Sequence, residues 1–284
     1  TIKFKPNYVI GRFFIGLFLS SLVCSKVFLE LHQPLVGGLN FQRRLLSQLI
    51  KFNSFKKLIV ISKPLYEIFN EEFNIPKNKL LVASDASDAP KFYYENKFEK
   101  SKRLQVGYIG HLYKGRGIEL MLNLAKKLPS MDFHIVGGNN DDIKRVKKQS
   151  QFLRNLNIHG FIFPSETENF RQKMNVLLAP YQKKVGLFDS KLTTEKWMSP
   201  LKIFEYMGSG RAILSSDIPV LREVLKNNIN CLMLNPNNIK DWINALRKLE
   251  SNPEFMLLIS KKARKDFLRN YTWTKRAQNI INSI

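Results

Sequence analysis

The chain has 284 residues, enough for two ordinary domains, and its 44% hydrophobic content excludes a disordered segment. A net charge of +23 and an isoelectric point near 10.0 favour anionic partners: nucleic acid, acidic lipid or phosphorylated substrates. Only two cysteines occur, Cys24 and Cys231, which excludes a disulfide scaffold and any zinc-ligand spacing and reads as two reduced core thiols. The basic residues are scattered rather than blocked, so a generally Lys-rich composition explains the charge as well as a basic surface does.

Residues 8–31 hold the one apolar run that invites a membrane reading, and Arg12 and Lys26 interrupt it too early for a span. It reads instead as strand Tyr8–Ile10, helix Phe13–Cys24 and strand Val27–Leu31, with no signal-peptide order at the start. His32 follows that second strand, at a carboxyl end where ligands collect in open parallel sheets. Gly37-Gly38 predicts a loop, then helix Phe41–Phe52, strand Leu58–Ile61, helix Pro64–Phe73 behind Ser62, and strand Leu80–Val82. Residues 85–103 are polar and then charged, and read as a linker.

A second α/β unit opens with strand Leu104–Ile109. The loop Gly110-His111-Leu112-Tyr113-Lys114-Gly115-Arg116-Gly117 leads into helix Ile118–Lys127. Strand, glycine loop, helix is the order of a phosphate cradle, and equally of tight backbone packing. Next come strand Phe133–Val136, helix Asp141–Leu153, strand and turn Ile158–Ile162, helix Ser165–Lys173 and strand Val176–Ala179. Lys183–Trp197 reads as a polar loop. His134 and His159 read as structural histidines.

The stretch SPLKIFEYMGSGRAILSSD follows, residues 199–217. Ser199 suits an N-cap and Pro200 the first helical turn. Lys202–Met207 is helical, Gly208-Ser209-Gly210 ends it, and Arg211–Ser216 is a buried strand. A helix start carrying Lys202 offers amide donors, a positive dipole end and a cation, which together suit an anion. Glu205 lies three residues further, so both can face one ligand, its carboxylate accepting from paired hydroxyls. On spacing alone a capped helix with a solvated Lys–Glu pair fits equally. The chain closes with a short helix at Val220–Leu225, strand Cys231–Leu234, and helices Asn238–Leu249 and Pro253–Asn270.

The residues SPLKIFEYMGSG and DIPVLREVL, with VGYIGHLYKGRGIELML upstream and YTWTKRAQNIINSI at the close, resemble retaining GT-B glycosyltransferases of family 4. The resemblance implies an α/β fold of two doubly wound, parallel-sheet, Rossmann-like domains. The expected division is a partial N-terminal domain at 1–90, a nucleotide-sugar-binding domain at 91–268 and a closing helix at 269–284 that packs back on the first domain. A complete enzyme of this kind is longer, so the first domain is expected to be incomplete at its N-terminus.

The resemblance further implies transfer of a sugar from a nucleotide donor to a hydroxyl acceptor, with retention and without metal or cofactor. It assigns the diphosphate to Ser199, Pro200, Leu201, Lys202, Gly110 and Arg116, the ribose to Glu205, and the nucleobase to backbone near Phe161. His32 would stand near the sugar and the α-phosphate. His111 takes a place that is usually basic, and a neutral histidine there holds phosphate less firmly. A glutamate usual in the family falls on Trp197, with Glu195 out of register, so sugar recognition must be rebuilt or reduced there. Trp197 reads as a buried aromatic before a sugar-stacking one.

The expected acceptor is a saccharide or lipid-linked hydroxyl, in polysaccharide or glycolipid synthesis in the cytoplasm or on the inner face of a membrane. Lys261, Lys262, Arg264, Lys265, Arg269, Lys275 and Arg276 are expected to face outward, where they could meet anionic lipid. Alternatives are a basic nucleic-acid-binding protein or a non-catalytic relic of the fold. The first needs basic residues clustered with aromatics or a known module, neither of which the sequence has, so no nucleic acid is expected as a partner.

Overall fold

Two parallel β-sheets, each in its own unit, carry the chain in a computed structural model that describes residues 6–35, 40–186 and 193–283. Gly37, Gly38 and part of the expected loop before Trp197 lie outside the described residues.

Unit 1 comprises residues 1–85, 196–199 and 274–284. Its strands β1 (Val9–Gly11), β2 (Val27–Leu31), β3 (Phe55–Val60) and β4 (Leu80–Val82) pair in that order, all parallel. Every residue of β2 is buried, as a strand covered on both faces requires, which is why VFLEL shows no polar alternation. Helices α1 (Phe14–Ser21), α2 (Asn40–Leu49) and α3 (Lys63–Glu71) connect the strands. Trp197 packs half-buried against this core, and its carbonyl accepts the Ser62 hydroxyl at 2.9 Å. The closing helix α10 (Trp273–Ile281), apart from its first residue, also belongs here, with Ile280 packed against Phe28, Ile59 and Ala83.

Unit 2 comprises residues 86–195 and 200–273. Its strands are β5 (Gln105–Ile109), β6 (Asp132–Val136), β7 (Leu156–Gly160), β8 (Val176–Ala179), β9 (Ala212–Ser216) and β10 (Leu232–Leu234). They lie in the order β10-β9-β8-β5-β6-β7, so the winding reverses between β5 and β8. Loops leaving the carboxyl ends of two strands diverge at such a point and open a crevice. Helices α4 (Ile118–Lys127), α5 (Asn140–Gln149), α6 (Pro164–Lys173), α7 (Leu201–Ser209), α8 (Ile239–Ser251) and α9 (Pro253–Asn270) complete the unit. Helix α4 buries Ile118, Met121, Leu124 and Ala125, one stripe at helical spacing, against the sheet.

Residues expected as a linker are partly built into unit 2. Asn96, 1% exposed, donates to the Asn175 carbonyl at 2.8 Å and to Ser260 Oγ at 3.0 Å. Arg211, at the entry to β9, donates to the Tyr94 carbonyl, to Gln172 Oε1 and to the Ser209 carbonyl. Burial lowers its pKa to about 10, still leaving it charged at neutral pH. A buried guanidinium needs such carbonyl partners, and this one binds residues 94–96 to the end of α7.

Two of the closing cations face inward, against expectation. Arg276 donates to Glu30 at 3.3 Å and to the Ala83 and Ser84 carbonyls, and Arg264 donates to the Gly208 carbonyl over the Tyr93 ring. Carbonyls at element ends leave acceptors open, and long guanidinium side chains reach them.

His134 on β6 bonds His159 on β7 at 3.1 Å and Gln105 at 2.8 Å. Burial, then the neighbouring His159, lowers the His134 pKa to about 4. The unfolded chain therefore takes up this proton first as pH falls, so the stability is complete above pH 6.5 and is lost toward pH 4. Urea unfolding at pH 7 and pH 4.5 should show the wild type losing more stability than His134→Asn, by about 1 kcal/mol after allowance for solvent screening. Equal losses would remove His134 from the acid response.

Candidate functional site

The crevice at the reversal point is walled by the end of β5, the glycine loop after it and the start of α7. Tyr206 on α7 fixes the junction: its hydroxyl accepts the Ile109 amide at 2.9 Å. The chain then turns at Gly110, whose φ is +148°, a conformation that side chains rarely adopt. A Cβ there would stand 2.6 Å from Lys202 Nζ, so the glycine makes room for the lysine. At the loop's other end Gly117 caps α4 in the left-handed conformation, and a Cβ would meet the Pro180 carbonyl at 2.0 Å. The loop is thus both a close-packed joint with the chain after β8 and one wall of the crevice.

Lys202 sits in the first turn of α7. Its ammonium lies 3.9 Å from the Tyr108 ring centroid and 5.4 Å from that of Tyr181. Both rings are buried, and burial holds the phenols above their usual range, so they stay neutral. Burial, then the nearby Arg116, pulls the lysine pKa well below its ordinary value, while Glu205 partly offsets both. Arg116 lies behind, its guanidinium carbon 5.6 Å from the Tyr181 centroid. Its Nε is out of solvent and has no hydrogen-bond partner among the described residues. Nor does either cation make an ion pair with a carboxylate among them. His111 stacks on Tyr113 at 4.7 Å, and burial followed by the charges of Arg116 and Lys202 lowers its pKa, which favours the neutral ring.

A cleft of about 760 Å³ runs from these groups along the loops after β6 and β7. Gly110, His111, Phe161, Lys202 and Glu205 line it, with Phe161 68% exposed at the far end. Arg116 is close in charge but not in the lining. Leu201 lines a neighbouring hollow of about 420 Å³ instead, together with Glu205.

Ser199 does not cap α7. The N-cap is Pro200, no side chain caps it, and Ser199 Oγ accepts the Asp85 amide at 2.9 Å within unit 1. The helix start therefore has no side-chain cap, and of its first-turn amides Ile203 bonds the Pro200 carbonyl at 2.9 Å. His32 also belongs to unit 1, where Nε2 lies 2.6 Å from Glu30 and 2.8 Å from Arg12. Burial opposes ionisation of Glu30, but bonds from His32 and Arg12 and the charge of Arg276 hold its pKa at about 2. Glu195 ties its own loop, accepting the Val185 amide at 3.0 Å and the Thr193 hydroxyl at 2.9 Å.

Sequence reasoning missed the tyrosine platform and Arg171. Arg171 Nη1 donates to Glu205 Oε2 at 3.3 Å from the last turn of α6. The platform had a signal, since Tyr108 and Tyr181 both stand at strand ends; a lone arginine on the polar helix α6 had none.

Gly110→Ala should displace the Lys202 ammonium, because a far-end atom yields more easily than backbone. The variant should lose about 1–2 kcal/mol of stability from the backbone strain and bind anions at the cleft more weakly. Calorimetric unfolding and pyrophosphate titration check this; unchanged values in both would show that the glycine is not needed for the lysine.

Residues 91–266 match the model of the family described as "Glycosyl transferases group 1". An uncharacterized glycosyltransferase of Haemophilus influenzae is 23% identical over 226 residues, covering 78% of this chain and 59% of that protein. The chain thus spans about three fifths of that relative's length. Among solved structures, a glycosyltransferase from Rickettsia africae superposes with a TM-score of 0.75 at 16% identity, covering 99% of this chain and 76% of that one. HepE from Anabaena, crystallised with UDP, gives 0.72 at 13% identity, with 98% and 78% covered. Sucrose-phosphate synthase from Thermosynechococcus elongatus gives 0.71 at 14% identity, with 97% and 72% covered. With the fold these neighbours share and a match over residues 91–266, the chain belongs to the group 1 glycosyl transferases, and its two parallel-sheet units have the GT-B architecture.

Proposed function

We propose that this protein transfers a glycosyl group from a nucleotide-sugar to a hydroxyl acceptor, with retention of configuration and with protein cations in place of a metal. The observation that carries the reading is a pair of cations, Lys202 desolvated and Arg116 with a buried, unpartnered Nε, neither of them ion-paired with a carboxylate among the described residues. Burying a charge without a counter-charge is costly, and an anionic ligand offsets that cost. A cleft of about 760 Å³ has room for an anion of the size of a nucleoside diphosphate. HepE is similar in fold and was crystallised with UDP and with UDP-glucose, which supports a donor of this class.

In this reading the diphosphate lies across the amides of Leu201 and Lys202 at the start of α7, with the Lys202 ammonium on it and Arg116 behind. Gly110 admits the phosphates close to backbone, and neutral His111 donates one N–H to them. Glu205 accepts from the ribose hydroxyls and backbone near Phe161 meets the base. As the sugar–oxygen bond breaks, charge grows on the diphosphate where fixed cations already stand, which lowers the barrier. His32, held by Glu30 in unit 1, is assigned to the sugar side. The acceptor hydroxyl attacks from the face that the nucleotide leaves and passes its proton to the departing phosphate. The acceptor class proposed is a saccharide or lipid-linked hydroxyl of polysaccharide or glycolipid synthesis, on the cytoplasmic side.

No helix among the described residues is long and apolar enough to cross a membrane. Attachment to anionic lipid is a secondary reading. It rests on Lys262, Lys265 and Arg269, which are not drawn into the inward bonds that hold Arg264 and Arg276.

A thermal-shift panel of UDP-, GDP- and ADP-sugars tests the donor class, since selective binding raises the melting temperature. Lys202→Met should cut kcat/KM by a factor corresponding to about 2–4 kcal/mol. The same change removes an unpaired buried charge, so the ligand-free variant should melt higher than the wild type. Unchanged turnover, or a lower melting temperature with normal binding, would take Lys202 out of the site.

A further inference from the structure

The Glu205 carboxylate has two cations within reach of its helix, and it pairs with the one from the other helix. Lys202 precedes it by three residues on α7, yet the lysine ammonium faces tyrosine rings and Glu205 Oε2 takes Arg171 from α6 at 3.3 Å. Arg171 is only 7% exposed, and its Nε is out of solvent without a partner. Glu205 is the one group among the described residues that its guanidinium bonds. If Glu205 swung away, a buried guanidinium would be left alone, so the pair resists separation. The frame around the pair is rigid as well. The next residue, Gln172, donates to the Ser209 carbonyl at 3.1 Å and accepts from Arg211 at 2.7 Å, which ties α6 to the end of α7.

We infer that Arg171 is a positioning residue for recognition of the ribose: it holds Glu205 by one oxygen, keeps the carboxylate off Lys202, and leaves the other oxygen to the cleft. This rests on the reading of Glu205 as the ribose acceptor. A carboxylate has room for four donors, so Oε2 can serve Arg171 while Oε1 accepts from a ligand hydroxyl. Without Arg171, Lys202, three residues earlier on the same helix, is spaced to pair with Glu205. The collapse of that pair would disable two groups together, the ribose acceptor and the cation meant for the diphosphate. Arg171 touches no reacting atom. Its effect appears in which nucleotides bind rather than in the chemical step.

The test titrates the full chain with UDP, GDP and ADP and with their 2′,3′-dideoxy counterparts, by calorimetry. For the nucleotide that binds, the wild type should prefer ribose at least tenfold, the scale of one hydrogen bond to a charged acceptor. Glu205→Ala should lose most of that preference. Arg171→Met should lose it to the same extent, and the double variant should be no worse than Glu205→Ala. Arg171→Lys keeps the charge without the planar fork, and should retain an intermediate preference. If Arg171→Met does not fold, the Lys variant carries the test: a full wild-type preference there overturns the inference. Equal weakening of ribose and dideoxyribose nucleotides in Arg171→Met also overturns it, since it shows support of the fold alone. A wild type that binds none of the three nucleotides fails earlier, at the proposed function; one that binds without preferring ribose removes the role given to Glu205, and this inference with it.

Discussion

A lysine ammonium folded against two neutral phenol rings, with no carboxylate paired to it, constrains much of unit 2. The rings supply only about 0.5–2 kcal/mol of cation–π attraction, against several kcal/mol for removing an ammonium from water. The neighbouring backbone makes room for the side chain in this place. Gly110 must lack a Cβ, Tyr206 must hold the end of β5, and Gly117 must let the loop close on Pro180. Each of these residues contributes to stability through packing or hydrogen bonding, and together they support one unfavourable charge.

The same economy of partners governs the other buried cations. Arg211 and Arg276 satisfy their guanidinium groups with main-chain carbonyls, and the elements they bridge are far apart in sequence: Tyr94 with Ser209, and Ala83 with the closing helix. Arg171 and Arg116 are different, since each keeps an Nε without a partner among the described residues. The satisfied cations hold elements together, while Arg171 is paired through Glu205 and Arg116 stands beside the Tyr181 ring. A buried group that lacks a partner is expensive, so such groups concentrate where a ligand will supply it.

The architecture was legible because it depends on local signals. Apolar runs such as VLLA, and VFLEL with Glu30 as its one polar residue, read as covered parallel strands, and Gly210 reads as the end of α7, where its φ is +64°. The start of α7 with Lys202 in its first turn was legible for the same reason, since a helix terminus is a property of a few adjacent residues. What the sequence hid was long-range competition for single atoms. Ser199 has the chemistry of an N-cap, but the Asp85 amide claims its oxygen from 114 residues away. Arg264 and Arg276 sit on helices that look uniformly basic, and only the fold shows which carbonyls lie within their reach. Arg171 pairs with a residue 34 positions on, and no spacing rule links α6 to α7.

Gly110 also changes when the lysine loses its freedom. A lysine on a surface helix samples many rotamers, and a ligand that captures it must freeze them, at about 0.5–1.5 kcal/mol for such a side chain. Here the aromatic floor and the bare glycine confine the side chain during folding, before any ligand arrives. The entropy is therefore charged to the stability of the protein and not to each binding event. In the proposed function, an anionic ligand would meet a cation already placed above a fixed backbone. Discrimination there would be geometric, set by the curvature of the main chain at one residue without a side chain.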